Sequence, residues 1–241
     1  MPRYLRNATN GVSSALLSWF DKNGRTFPWR KTFERPDPYI ILFTEIMLQR
    51  TKAEQVVPVY LEFVRRYPTF HELSLASKKD VVSLFARLGL KWRAKNVLRL
   101  IRQIAEKYHG SIPSQLDDLR KLPGVGEYVA AAVTCYAFGQ RTVAIDSNVV
   151  RVVSRLFGIA VNSDSGRRHV GLMQAAASLV PQNRVSDFNL ALLDISAKIC
   201  KPKPLCKICP LVAYCAFYSM SKTSESPRAK VEESSTLTEN C

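Results

Sequence analysis

The chain has 241 residues, 46% of them hydrophobic, and a formal net charge of +15. That is enough apolar material for one large or two small packed domains. No stretch is long and apolar enough to span a bilayer, and the opening MPRYLRNATNG lacks the apolar core of a signal peptide. An intracellular protein of the cytoplasm or nucleoid, with no membrane partner, is therefore expected. Residues 221–241 hold three basic and four acidic side chains, so the charge rises to +16 without them. The excess belongs to the folded part and favours a polyanionic partner, nucleic acid first; on charge alone, a generically basic protein is the alternative.

The periodicity is helical nearly throughout. Leu16, Leu17 and Phe20 predict a helix near 11–21, and the apolar run from Tyr39 to Gln49 a second. Pro58 suits the first turn of a third, Val59 to Tyr67. Further helices fit 78–87, 92–108, 114–121, 127–138, 148–157, 168–179 and 187–199, punctuated by Gly89, Gly110, Pro113, Gly139, Gly158, Gly166 and Pro181. Only Arg141 to Ile145 looks briefly strand-like. Ser221 to Asn240 is almost free of apolar residues and reads as disordered.

Between Leu122 and Asp146 the chain reads LPGVGEYVAAAVTCYAFGQRTVAID. Gly124, Val125 and Gly126 form a glycine-rich turn that opens a helix. Two glycines around a small apolar residue allow a sharp turn with positive φ, and backbone amides at a helix start can face a phosphate. A hairpin with no ligand is the plainer reading of these three residues taken alone. Asp146 reads as a helix cap or as a carboxylate that steadies a cationic sugar while a glycosidic bond breaks. Glu45 lies among Ile41, Leu42 and Leu48 on one helix face, which predicts at least partial burial. Burial raises a carboxyl pKa, which suits a proton donor, or the acid bonds to backbone or a basic side chain.

Cys200, Cys206, Cys209 and Cys215 have the spacing C-x5-C-x2-C-x5-C. Disulfides explain this poorly in a chain without an export signal. Structural zinc wants two CxxC knuckles or nearby histidines, whereas a compact run of four cysteines fits a [4Fe–4S] cluster. Lys198, Lys201, Lys203 and Lys207 interleave with the cysteines and either face phosphates or are solvated. Cys135 reads as a small core residue. Basic and aromatic residues mix at Phe27–Arg30 and Lys91–Lys95, a combination suited to nucleic-acid backbone contact and stacking. Gln49 and Arg50 follow the Glu45 helix, where a side chain can enter a base stack, or simply lie at an exposed helix end.

Together these features resemble the helix-hairpin-helix DNA glycosylase superfamily with an iron–sulfur cluster, over about 12–216. The resemblance rests on LPGVG, AIDSNVVRV at Ala144–Val152, PWR at Pro28–Arg30, EIMLQRT at Glu45–Thr51 and the four cysteines, all in family order. Within the superfamily the chain looks most like the archaeal-type thymine–guanine mismatch glycosylases, a likeness strengthened by DFNLALLD at Asp187–Asp194, and next like the catalytic half of the adenine glycosylase MutY.

The resemblance implies an all-α, two-lobed fold. A six-helix barrel lobe would span 33–145. Residues 1–32 and 146–218 would form the second lobe with the cluster loop, and 219–241 a disordered tail. Double-stranded DNA containing a mismatch would lie across the cleft of a monomer, with the target nucleotide flipped between the lobes. Asp146 falls on the catalytic aspartate and Glu45 on the acid that MutY uses to protonate departing adenine. Arg50, with Leu190, would fill the gap left by the flipped base. Gln49, Lys201, Gly124, Val125 and Gly126 would contact DNA, and Tyr128 would line the pocket.

Three departures bear on activity. Lyase-active members such as endonuclease III carry a Schiff-base lysine where this chain has Tyr128, so a monofunctional glycosylase without efficient AP-lyase activity is expected, acting on thymine or uracil opposite guanine. The domain with which MutY reads 8-oxoguanine is not evident after Cys215, which weighs against the alternative of adenine removal opposite guanine or 8-oxoguanine. The first cysteine spacing is one residue shorter than usual. The alternative of another class is a non-catalytic iron–sulfur DNA-binding module.

Overall fold

A computed structural model describes residues 3–33, 36–89, 91–161 and 166–224. Among them there are helices and 3-10 turns but no strand. The first half contains α1 (Arg3–Asn23), a 3-10 turn (Pro28–Phe33), α2 (Pro38–Leu48), α3 (Ala53–Arg66), α4 (Phe70–Leu75), α5 (Lys78–Ala86), α6 (Lys91–Tyr108), α7 (Leu116–Arg120) and α8 (Glu127–Phe138). The second contains α9 (Ser147–Phe157), α10 (Val170–Ser178), α11 (Val185–Lys198), 3-10 turns at Cys206–Ile208 and Val212–Tyr214, and α12 (Ala216–Ser224).

α2 is the central helix. Asp37 caps it, accepting from the amides of Tyr39 (2.9 Å) and Ile40 (3.4 Å), and Pro38 occupies its first position. Every residue from Tyr39 to Met47 is buried, as expected of a helix apolar on all sides. α8 lies against it, and the small Ala130 and Ala132, both fully buried, permit close approach. This pairing brings Glu45 of α2 next to Tyr128 of α8.

Contacts group α2 to α8 together and α1 with α9, α11 and α12 as a second set, while α11 also touches α8. α9 buries Val149, Val150, Val152, Val153 and Leu156, a stripe at helical spacing.

Several elements differ from their sequence expectation. α3 starts at Ala53, not at Pro58, which sits inside the helix. Pro58 is on the exposed face, so the Glu54 carbonyl that loses its amide partner turns to water. α4 is held by a reciprocal capping box between Thr69 and Glu72, a local signal that apolar periodicity passes over. Arg141 to Ile145 forms no strand; it is an irregular connection pinned by buried Asn189, which accepts from Ala144 N–H (2.8 Å) and donates to the Thr142 carbonyl (3.0 Å). α12 carries helix to Ser224, into the stretch expected to be disordered, because it packs on α9. The rest of that tail, with Cys241, lies outside the described residues.

Candidate active site

A cleft of roughly 1520 Å³ opens where α2, α8, α11 and the 142–148 segment meet. Seven arginine and lysine residues line it against three acidic ones, Glu45, Glu127 and Asp146. That balance suits a polyanion, with Glu45 buried inside and the exposed Glu127 paired with Arg120.

Glu45 is only 4% exposed. Its burial raises the carboxyl to about 7, and the negative charge of Asp146 adds to the effect. The charge of Arg30 and a hydrogen bond with Tyr128 pull the other way without cancelling it. One carboxyl oxygen, Oε2, is buried with no hydrogen-bond partner. Tyr128 keeps part of its ring open to the cleft, yet its surroundings push the phenol well above its ordinary range, burial first and Glu45 next. The phenol therefore stays neutral and donates to Glu45.

Asp146 caps α9. Its Oδ1 accepts from the amides of Asn148 (2.9 Å) and Val149 (2.8 Å), and its Oδ2 from the side chain of Asn148 (2.8 Å). A negative charge at a helix start is stabilised by the macrodipole. Arg151 in turn donates to Asn148 Oδ1 (3.2 Å) and to the Cys200 carbonyl (2.8 Å), linking the aspartate to the cysteine loop.

The glycine turn divides its amides. Gly124 has φ +82°, in the left-handed region that favours glycine, and a Cβ there would meet Asn96 at 3.2 Å. The first intrahelical bond of α8 runs from Ala130 N–H to the Gly126 carbonyl, so the amides just ahead of it point out of the helix end. Nothing lies within 4 Å of a Cβ at Gly126, so the approach to those amides is open. Val125 is buried, and its amide bonds the Leu122 carbonyl, so it anchors the turn and that amide does not face outward.

The remaining sequence candidates fall in different places. Arg50 is exposed with φ +54°. Gln49 Nε2 donates to the Gly124 carbonyl at 2.8 Å, which makes it a brace between two loops, while its Oε1 is buried without a partner. Leu190 is 7% exposed and forms part of the cleft wall; it does not project as a wedge would. Lys201 is exposed, and its carbonyl accepts from Arg155. In the basic–aromatic stretches Lys95 is exposed, the side chains of Lys91 and Trp92 lie outside the described residues, and four others do not offer the contacts expected of them. Phe27 and Trp29 are buried and stack on each other. Arg30 forks onto Asp194 with two bonds of 2.8 Å, and Arg93 is fully buried. Arg30, Asn148, Arg151 and Asp194 all lie in quoted motifs, but their partnerships, up to 164 residues apart for Arg30 and Asp194, leave no local signal.

Cys200, Cys206, Cys209 and Cys215 are all half-buried and free. Burial raises the Cys209 thiol to about 11, and the other three cysteines add to it. Arg155 directs an N–H at Cys200 Sγ (3.5 Å) and holds the loop through the carbonyls of Lys201 (2.6 Å) and Pro202 (2.9 Å). Among the described residues no three ligating side chains converge as a single metal ion would need. Four half-buried thiols within one sixteen-residue stretch, with a cationic donor beside Cys200, are a ligand set that an iron–sulfur cluster can use. Cys135 is fully buried in the core.

The chain is similar to known DNA glycosylases. The thymine/uracil-DNA glycosylase of Methanothermobacter thermautotrophicus is 38% identical over 212 residues, which cover 87% of this chain and 94% of that relative. The adenine DNA glycosylase of Homo sapiens is 35% identical over 208 residues, covering 83% of this chain but 38% of the relative. A solved thermostable thymine-DNA glycosylase superposes with a TM-score of 0.81 at 36% identity, covering 89% of this chain and 98% of that one. The model of the HhH-GPD superfamily base excision DNA repair protein matches residues 43–172. The chain thus belongs to the HhH-GPD superfamily of base excision DNA repair proteins.

Proposed function

We propose that this chain is a monofunctional DNA N-glycosylase that removes thymine or uracil mispaired with guanine and leaves an abasic site. The observation that carries this reading is the pairing of a buried carboxyl on Glu45, one oxygen of which has no hydrogen-bond partner, with a fully hydrogen-bonded carboxylate on Asp146 in one basic-rimmed cleft. The names of the relatives covered nearly end to end support thymine and uracil as the bases. The adenine glycosylase is also similar, at 35% identity against 38%, which makes adenine the second choice.

In this reading a mismatch-containing duplex lies across the cleft of a monomer, and residues 33–145 form one wall as a separate lobe. A G·T or G·U pair is already weak, so extruding its pyrimidine costs less than opening a matched pair. The amides of Gly124 and Gly126, with those that open α8, hold a backbone phosphate, and Arg50 enters the stack behind the departed base. As the N-glycosidic bond breaks, its electron pair leaves with the base and positive charge grows on the sugar. Asp146 faces that charge and guides the water that adds to the sugar. Glu45, neutral in a large share of molecules near pH 7, hydrogen-bonds the departing pyrimidine. Tyr128 offers no amine, so no imine forms and the strand stays intact. Cys200, Cys206, Cys209 and Cys215 would hold a [4Fe–4S] cluster, which supplies a rigid hold on the loop that carries Lys201.

Asp146→Asn tests the assignment. It keeps most of the cap and should bind a G·T duplex as the parent does, while single-turnover cleavage falls by about a thousandfold or more. Retained cleavage would sink it.

A further inference from the structure

Arg93 is the largest fully buried side chain among the described residues. A buried cation is costly unless it is paired, yet no carboxylate among the described residues pairs with it. Its guanidinium instead donates to the Gln49 carbonyl, to Thr51 Oγ1 (3.0 Å) and to the Leu88 carbonyl (3.4 Å). Its Nε is left buried without a partner. These acceptors bracket Arg50, which holds a left-handed conformation with its side chain exposed. The clamp continues, because Gln49 Nε2 reaches the Gly124 carbonyl at 2.8 Å and Asn96, one turn after Arg93 on α6, lies under Gly124. The start of α6 thus supports both the turn that presents Arg50 and the turn that presents the hairpin amides.

An apolar residue would fill this space without the desolvation cost, so the cation is there for what it holds. We infer that Arg93 is a positioning residue that fixes the Gln49–Thr51 turn against the Gly124 turn, so that Arg50 enters the base stack while the hairpin grips the backbone. This rests on the glycosylase reading above. It implies that Arg93 acts on base extrusion through Arg50 and does not touch the DNA.

The test follows extrusion and cleavage separately. A G·U duplex carrying 2-aminopurine beside the uracil reports unstacking by fluorescence, and single-turnover cleavage of the same duplex reports chemistry. Arg93→Met should reduce both by about tenfold in the full chain, the equivalent of one or two lost hydrogen bonds. On an Arg50→Ala background it should add little, because the residue it positions is gone. Arg93→Lys should recover part of the loss. Should Arg93→Met fail to fold, Thr51→Val removes one acceptor of the clamp and should show a smaller loss with the same dependence on Arg50. An equal loss with and without Arg50, or unchanged unstacking with slower cleavage, would overturn the assignment of Arg93 alone. A parent protein that neither unstacks nor cleaves any mismatched duplex would take down the glycosylase reading with it.

Discussion

Two buried acids lie near the same arginine, Arg30, and they are treated in opposite ways. Asp194 on α11 has a fully buried side chain and accepts four bonds of 2.6–2.8 Å, two from Arg25 and two from Arg30. Burial pushes its pKa up, but the arginines outweigh that and hold it below the usual carboxylate range. Glu45 on α2 is almost as buried, has Arg30 only as a neighbouring charge, and keeps one oxygen without a partner. Its carboxyl rises to about 7. The first acid is solved as architecture: it ties the Pro28–Phe33 turn to α11. The second is left unsolved, and an acid whose proton is loose near neutral pH is what proton chemistry needs.

The widest separation between the two comes from removing each charge. Asp194→Asn leaves two arginines facing a buried neutral group and should cost about 3–5 kcal/mol, read as a fall in the urea midpoint. Because the folded pKa is depressed, the stability that Asp194 contributes is present above its unfolded value and is lost as pH falls through the folded one. Glu45→Gln should do the reverse. The raised folded pKa means that ionising Glu45 opposes folding as pH climbs from about 4.5 to about 7. The glutamine variant should therefore match the parent at pH 4.5 and exceed it by up to about 3 kcal/mol at pH 8, while losing cleavage. Equal melting temperatures at both pH values would contradict the burial argument. The smallest effect belongs to Tyr128→Phe. Its hydroxyl lowers the pKa of Glu45, so the variant should move the alkaline limb of the pH–rate profile upward and change stability by about 1 kcal/mol.

What could be read from the chain was what local patterns encode. Ile41, Leu42 and Leu48 around Glu45 predict its burial, and the position of Asp146 ahead of Ser147–Phe157 predicts a cap. Gly124 carries the positive φ that its turn requires. Partnerships across long separations were not legible. The charges of Arg30 and Arg93 look like DNA contacts in a basic chain, yet the first closes on Asp194 and the second on backbone carbonyls. Asn189 looks like an interruption in an apolar helix, and in the fold it pins the segment leading to Asp146. The four cysteines announce themselves by spacing, but Arg155 and Arg151, which tie their loop to α9, do not.

The most direct test of the account is strand cleavage of end-labelled duplexes containing G·T, G·U, G·A and 8-oxoguanine·A, each with and without hot alkali. The account predicts breaks at thymine and uracil that appear only after alkali. Breaks at adenine would move the protein to adenine repair, and breaks at thymine or uracil without alkali would contradict the role given to Tyr128.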